Sequence, residues 1–209
     1  MTDMDEFRAV VAAWAAGGPG DPARDLAARL PVRTAVLLEG RSDVAAVEAL
    51  AALRGRDLAA EGVCVLSMDG ATNAARHARL LGPPGLGLRL TGLCDEAERD
   101  HYARGLARAG ADPDAFFVCV ADLEDELIRA LGVPRVEELV EAQGEGRALR
   151  TFLHQPAQRD RGPRQRMRRF LGTTSGRKIR YGRVLVEGLG TAPVPAPLDG
   201  LLNSLPAGP

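Results

Sequence analysis

Residues 34–43 read TAVLLEGRSD, and this stretch decides the fold. Its first half is a continuous apolar run, which is typical of a strand that is covered on both faces of a parallel sheet. A Glu-Gly pair ends the run. Ser42 is the expected N-cap of the helix that follows, because a Ser side-chain oxygen accepts a hydrogen bond from a free helix N–H group. The stretch therefore predicts a strand, a tight turn and a helix, with Glu39 and Asp43 at the turn.

The same alternation continues along the chain. Further strands are predicted at Gly62–Met68, Leu86–Cys94 and Ala115–Val120, and helices at Asn73–Leu81, Glu96–Ala109 and Leu123–Leu131. Strands and helices that alternate with short connections predict an α/β fold with a parallel sheet and helices on both faces. In such folds ligands bind at the carboxyl ends of the strands.

The regions that flank this core have a different pattern. Two short helices around Asp5–Ala16 and Asp21–Leu30 predict an N-terminal helical hairpin. After Gly132 the strand pattern stops, and helices are predicted at 134–142, 146–154, 163–171 and 178–189. We therefore divide the chain into the hairpin (residues 1–31), the α/β core (32–133), a basic helical extension (134–190) and a Pro-rich, largely irregular tail (191–209).

Composition excludes several classes of protein. The chain is 45% hydrophobic and 26% charged, which is enough to form a core and argues against general disorder. Cys64, Cys94 and Cys119 lie singly in apolar runs, so neither a disulfide framework nor a zinc cluster is indicated. No apolar run approaches the roughly 20 residues that span a bilayer. The first residues are acidic, whereas a secretory signal begins with basic ones. We therefore expect a cytoplasmic protein.

Charge is distributed very unevenly. The net charge is −1, but residues 147–183 hold twelve cationic side chains and one acid, Asp160. This asymmetry predicts a basic surface that meets a polyanion. The predicted phosphate contacts are Arg159, Arg161, Arg164, Arg166, Arg168, Arg169, Arg177 and Arg180. Lys178 is the only lysine among 27 cationic residues. It is therefore a candidate for a site whose chemistry requires a compact ammonium and cannot use a planar guanidinium.

Acidic residues follow three of the four predicted strands. Glu39 and Asp43 follow the first strand, Asp95 follows the third, and Asp122 and Glu124 follow the fourth. Carboxylates that converge repel one another unless cations compensate them. Hard oxygen ligands favour Mg²⁺ or Mn²⁺, and a pair of such ions can clamp both oxygens of a phosphodiester displacement.

These motifs resemble the Toprim domain, in the version carried by OLD-family (overcoming lysogenization defect) nucleases. The Toprim signature is a Glu after strand one and a DxD motif after strand three. The OLD version adds acids after the next strand and a catalytic lysine further on. By position, Glu39 and Asp43 match the first acidic pair and Asp95 matches the first Asp of DxD. Lys178 lies where the catalytic lysine is expected, and Asp122 and Glu124 match the later acids.

The resemblance implies a nuclease that cleaves or nicks DNA with two Mg²⁺ or Mn²⁺ ions. It assigns catalytic roles to Glu39 and Lys178, and metal binding to Glu39 and the four other acids. Ala97 stands where the second Asp of DxD is expected, so Glu98 is considered as a substitute ligand and one ion is expected to bind weakly. The sequence contains no GxxxxGK[ST] motif, so we expect a stand-alone Toprim unit without ATPase activity and consider a partner ATPase in trans.

Two alternatives remain open at this point. A catalytically degenerate Toprim module would bind nucleic acid or a partner ATPase without turnover. A general α/β enzyme would act on a small phosphorylated substrate and use the basic segment as an oligomer interface. The N-terminal hairpin is a candidate contact for a homodimer.

Overall fold

The computed structural model describes residues 3–206. The strands within this range are β1 (Thr34–Leu38), β2 (Val63–Ser67), β3 (Arg89–Asp95) and β4 (Phe116–Cys119). The helices are α1 (Asp3–Ala15), α2 (Asp21–Arg29), α3 (Arg41–Leu53), α4 (Ala74–Leu81), α5 (Arg99–Arg108), α6 (Leu123–Leu131), α7 (Val133–Ala142), α8 (Gly146–Leu153), α9 (Pro163–Leu171), α10 (Ser175–Glu187) and α11 (Ala196–Ser204). Short 3-10 turns occupy Ala71–Asn73, Glu96–Glu98 and Pro156–Gln158.

The four strands form one parallel sheet in the order β2-β1-β3-β4, which confirms the predicted fold class. The chain passes from β1 to β2 on one side and then crosses to β3 on the other side of β1. The strand order therefore reverses between β1 and β3. A crevice forms outside the carboxyl ends of the strands at such a switch point, and it is the usual ligand site of an open α/β sheet.

Helices cover both faces of the sheet. Alternate side chains of a strand point to opposite faces, so Val36 and Leu38 of β1 pack in one apolar cluster, with residues of α3 and α6 to α11. Ala35 and Leu37 pack in the other, with residues of α1, α2, α4 and α5. The α1–α2 hairpin is thus part of the core of one face.

The C-terminal helix α11 corrects the prediction of a largely irregular tail. Leu198, Leu201 and Leu202 are buried against the sheet, at the spacing of one helical face. Pro197 lies in the first turn of the helix, where its missing N–H costs nothing. Arg56 donates hydrogen bonds to the backbone oxygens of Leu202 (2.6 Å) and Pro206 (2.7 Å) and so fixes the end of the helix.

Other boundaries shift by a few residues. β3 begins at Arg89 instead of Leu86 and includes Asp95 as its last residue. α10 begins at Ser175, three residues before the predicted start, so Lys178 lies inside its first turn. No helix within residues 3–206 is long and apolar enough to cross a bilayer.

Candidate active site

A cavity of about 450 Å³ opens at the carboxyl edge of the sheet, at the switch point between β1 and β3. All five acids that were predicted as metal ligands line this cavity, and so does Lys178. We call it the acidic cavity; its lining consists of Glu39, Gly40, Asp43, Asp69, Gly70, Asp95, Asp122, Glu124, Arg168 and Lys178. Segments that are far apart in the sequence therefore meet where the topology predicts a ligand site.

The β1–α3 turn positions Asp43 differently from the prediction. Gly40, with extended backbone, is the residue that precedes the helix, and Ser42 is a buried residue of the first turn, so the prediction of Ser42 as N-cap is wrong. The Asp43 carboxylate instead accepts a hydrogen bond of 3.0 Å from the backbone N–H of Gly40. Burial, followed by the charge of Glu124, raises the pKa of Asp43 to about 7.

Asp95 has a similar electrostatic environment at the end of β3. Burial raises its pKa to about 7, with further contributions from the nearby charges of Glu39 and Asp122. Burial is the main cause of the raised pKa of both Asp43 and Asp95, and the neighbouring carboxylates add to it, so negative charge is crowded in this cavity.

Glu124 and Lys178 form an ion pair across the cavity. The Lys178 Nζ atom lies 3.2 Å from Glu124 Oε1. The Glu124 side chain is only 6% exposed, so Lys178 compensates a carboxylate that is almost fully buried. Burial raises the pKa of Glu124, and Lys178 offsets part of this effect. Burial alone would lower the pKa of Lys178, but the charges of Glu124 and Asp43 outweigh it and raise that pKa, so Lys178 is a cation at neutral pH.

Asp122 has both carboxylate oxygens engaged. Its Oδ1 accepts a hydrogen bond of 2.8 Å from the backbone N–H of Asp125 and caps α6. Its Oδ2 accepts a hydrogen bond of 2.6 Å from Arg168 Nε, with Nη2 of the same residue at 2.5 Å. A helix cap and an interhelical ion pair thus hold this carboxylate.

The two remaining acids are placed by loops. The backbone oxygen of Glu39 accepts a hydrogen bond of 2.9 Å from the N–H of Gly70, which joins the loops after β1 and β2. Asp69 lies in the loop after β2. It has a positive φ of 52°, accepts a hydrogen bond of 2.9 Å from Ser67 Oγ and lines the cavity.

The five acids do not form a preassembled metal site. Within residues 3–206, no group of three or more His, Cys, Asp or Glu side chains is arranged to hold a metal ion. Glu98, considered as a substitute ligand for the position of Ala97, lies in the 3-10 turn after β3 and is not part of the cavity lining. Ala97 itself is exposed.

The acidic cavity adjoins a second cavity of about 640 Å³, which we call the basic cavity. The two share Asp122, Glu124, Arg168 and Lys178. The rest of the basic cavity is lined by Arg161, Gln165, Arg169, Gly172 and Thr173. Three of the eight arginines that were predicted to contact phosphates therefore lie directly beside the acids.

The other five predicted arginines do not line the basic cavity. Arg177 and Arg180 both pair with Glu145. Arg164 pairs with Asp125, and Arg166 Nε donates a hydrogen bond of 2.6 Å to the backbone oxygen of Arg161. Arg159 is exposed and makes no ion pair with any residue in the described range.

One residue that shapes the site, Gly182, is not among the residues predicted from the sequence. Gly182 lies where α10 crosses the start of α3, and a Cβ atom there would lie 2.3 Å from the backbone oxygen of Ser42. Glycine thus allows the close approach that brings Lys178 to Glu124. A glycine inside a helical pattern was the available signal, since it costs helix stability without a packing reason.

The raised pKa of Asp43 predicts a dependence of stability on pH. In the unfolded chain Asp43 ionises near pH 4, whereas the folded protein holds the proton to about pH 7, so stability falls as the pH rises between these values. We expect Asp43→Asn, which keeps the acceptor for Gly40, to stabilise the metal-free protein at about pH 8 by on the order of 2 kcal/mol and to have little effect near pH 4. Urea denaturation in EDTA measures this difference. Asp25→Asn, an exposed residue of α2, is the control, and equal pH profiles for the two variants would contradict the prediction.

Comparison with known proteins identifies the central part of the fold. Residues 32–96 match the family described as "Overcoming lysogenization defect protein-like, TOPRIM domain". This part of the chain resembles an OLD-like Toprim domain. The matched residues run from β1 to the end of β3, so Glu39, Asp43 and Asp95 lie within the Toprim match. No curated protein matches the sequence.

Solved structures share the Toprim fold over a longer part of the chain. The C-terminal region of the Burkholderia pseudomallei OLD protein is 21% identical, with a TM-score of 0.60 over 83% of this chain and 96% of that one. The C-terminal region of the Xanthomonas campestris pv. campestris OLD protein, phased with platinum, is also 21% identical. Its TM-score is 0.63 over 83% of this chain and 92% of that one. At this identity the likeness shows the fold alone.

Proposed function

We propose that this protein is a metal-dependent nuclease that cleaves or nicks DNA phosphodiester bonds. The observation that carries the proposal is that five acids and Lys178 line one cavity at the carboxyl edge of the sheet, where the buried Oε1 of Glu124 lies 3.2 Å from the ammonium of Lys178. The Toprim match supports the same chemistry, because Toprim domains generally use divalent metals.

The donor set fits divalent cations. Five carboxylates in one cavity supply hard oxygen ligands that suit Mg²⁺ or Mn²⁺. We propose that Glu39, Asp43 and Asp95 hold one ion and that Asp122 and Glu124 serve a second. When bound, such ions activate water as a nucleophile and stabilise charge on a phosphodiester. The ion beside Asp95 is expected to bind more weakly, because Ala97 supplies no carboxylate and Glu98 is not in the cavity lining.

Cationic side chains of the two cavities contact the DNA phosphates in this proposal. Lys178 keeps its proton at neutral pH because the acids raise its pKa, so its ammonium stabilises the negative charge that develops on the phosphate. Arg161 and Arg169 in the basic cavity bind neighbouring phosphates of the strand. These contacts carry little sequence information, because every nucleotide presents the same phosphate.

A degenerate module is the second candidate, and Ala97 favours it. A Toprim domain that lacks one ligand of the DxD motif binds DNA through the same arginines but does not cleave it. The two candidates share the basic cavity and differ only in metal-dependent turnover.

Nicking of supercoiled plasmid DNA tests the proposal. We expect nicked product with Mg²⁺ or Mn²⁺, none with EDTA, and none with Glu39→Gln, which removes one charge from the acidic cavity at constant size. The matched control is Glu137→Gln, at an exposed residue of α7 that lines neither cavity, and this variant is expected to nick normally. Salt-sensitive DNA binding without nicking in any metal would favour the degenerate module. Nicking that survives in Glu39→Gln would show that the site is wrong.

A further inference from the structure

Arg168 lies on the boundary between the two cavities and lines both of them. Its guanidinium contacts Asp122 Oδ2 through Nε and Nη2. The Arg168 side chain is 45% exposed and that of Asp122 is 18% exposed. The ion pair is therefore accessible to solvent, and such pairs contribute little free energy.

Both carboxylate oxygens of Asp122 accept hydrogen bonds in this arrangement. Oδ1 caps α6 through the N–H of Asp125, and Oδ2 accepts from Arg168, which contacts it through both Nε and Nη2. A divalent cation that binds Asp122 through Oδ2 therefore competes with the guanidinium of Arg168.

Arg168 can leave Asp122 without a movement of the whole helix. One turn earlier on the same face of α9, Arg164 Nε lies 3.0 Å from Asp125 Oδ1 and links α9 to α6 independently. Rotation of the Arg168 side chain alone would thus carry its charge from Asp122 into the basic cavity.

We propose that Arg168 couples nucleic-acid binding to cation binding. Without nucleic acid its guanidinium pairs with Asp122; when a strand occupies the basic cavity, Arg168 binds a phosphate of that strand and frees Asp122 as a cation ligand. This inference rests on the proposed function. Because coupling between two ligands is reciprocal, the cation tightens DNA binding by the same factor by which DNA tightens cation binding.

Mn²⁺ affinity in the absence of DNA gives the first test, measured from the free-ion signal in electron paramagnetic resonance. Arg168→Gln removes the competitor of Asp122, and we expect it to bind Mn²⁺ about fivefold more tightly than the wild type. Arg169→Gln is the matched control, because Arg169 lines the same basic cavity and makes no ion pair with a described residue. The control removes the same charge but is expected to leave the Mn²⁺ affinity nearly unchanged.

DNA affinity with and without Mn²⁺ gives the second test, measured by fluorescence anisotropy on a short duplex with phosphorothioate linkages. We compare the factor by which Mn²⁺ raises the DNA affinity of each protein. This factor is expected to be about fivefold larger for the wild type and for Arg169→Gln than for Arg168→Gln. Equal effects of the two substitutions on Mn²⁺ affinity, or equal tightening in all three proteins, would overturn the coupling alone. If the wild type binds no Mn²⁺ with or without DNA, the proposed function fails and the coupling fails with it.

Discussion

We expect Lys178→Met to lower the rate of metal-dependent plasmid nicking by about 100-fold or more. The magnitude is typical for the loss of one group that stabilises charge in the transition state. Methionine preserves most of the length of the side chain, so the substitution removes the charge beside Glu124 with little change in volume. Single-turnover nicking at saturating protein measures the effect on chemistry separately from DNA affinity.

Two further variants separate chemistry from folding. Lys178→Met leaves the buried carboxylate of Glu124 without a cation, which destabilises the folded protein. The stability of this variant is therefore measured by thermal denaturation. The double variant Lys178→Met/Glu124→Gln removes the uncompensated charge, and we expect it to regain stability but no activity. Lys178→Arg keeps the positive charge but replaces the compact ammonium with a planar guanidinium, and we expect it to recover only part of the nicking rate. Nicking by Lys178→Met at the wild-type rate would contradict the assignment.

The second large effect is expected at Gly182. A Cβ at this position would lie 2.3 Å from the backbone oxygen of Ser42, so Gly182→Ala must displace α10 from α3. We expect a loss of about 1–3 kcal/mol in the free energy of unfolding, the usual cost of overpacking. We also expect a loss of nicking, because the same displacement withdraws Lys178 from the acidic cavity. Urea denaturation and the plasmid assay measure the two effects.

Gly176→Ala is the matched control on the same helix. A Cβ at Gly176 meets nothing within 4 Å, and alanine favours the helical state by roughly 0.5–1 kcal/mol over glycine. We therefore expect this variant to be at least as stable as the wild type. If the two alanine variants unfold at the same urea concentration, the close crossing of α10 and α3 is not a determinant of stability.

The sequence was sufficient to predict the α/β fold and the position of the acids. Apolar runs that end in Glu39, Asp95 and Asp122 predict both buried parallel strands and a shared carboxyl edge. Lys178 was identified by its isolation among arginines, and the structure places it in the same cavity. These features are local patterns, or follow from the rule that parallel strands end at one edge.

The features that the sequence did not reveal depend on contacts between distant segments. The pairing of Arg168 with Asp122 joins residues 46 positions apart, and no local pattern identifies it. Serine is a residue type that is favoured at the N-cap, but the Asp43 carboxylate accepts the hydrogen bond from the backbone N–H of Gly40. For the segment that forms α11 the proline content predicts irregular chain, whereas the burial of Leu198 and its neighbours stabilises a helix.

The position of α10 in the chain order has a consequence for synthesis in the cell. All five predicted metal ligands lie at or before Glu124, whereas Lys178 and the arginines of α9 follow them. A ribosome therefore completes the sheet and its carboxylates before the cations that the proposed cleavage requires. A nascent chain that has folded only as far as α6 lacks both Lys178 and the arginines of the basic cavity. The proposed nuclease activity is therefore possible only after α10 has docked on α3.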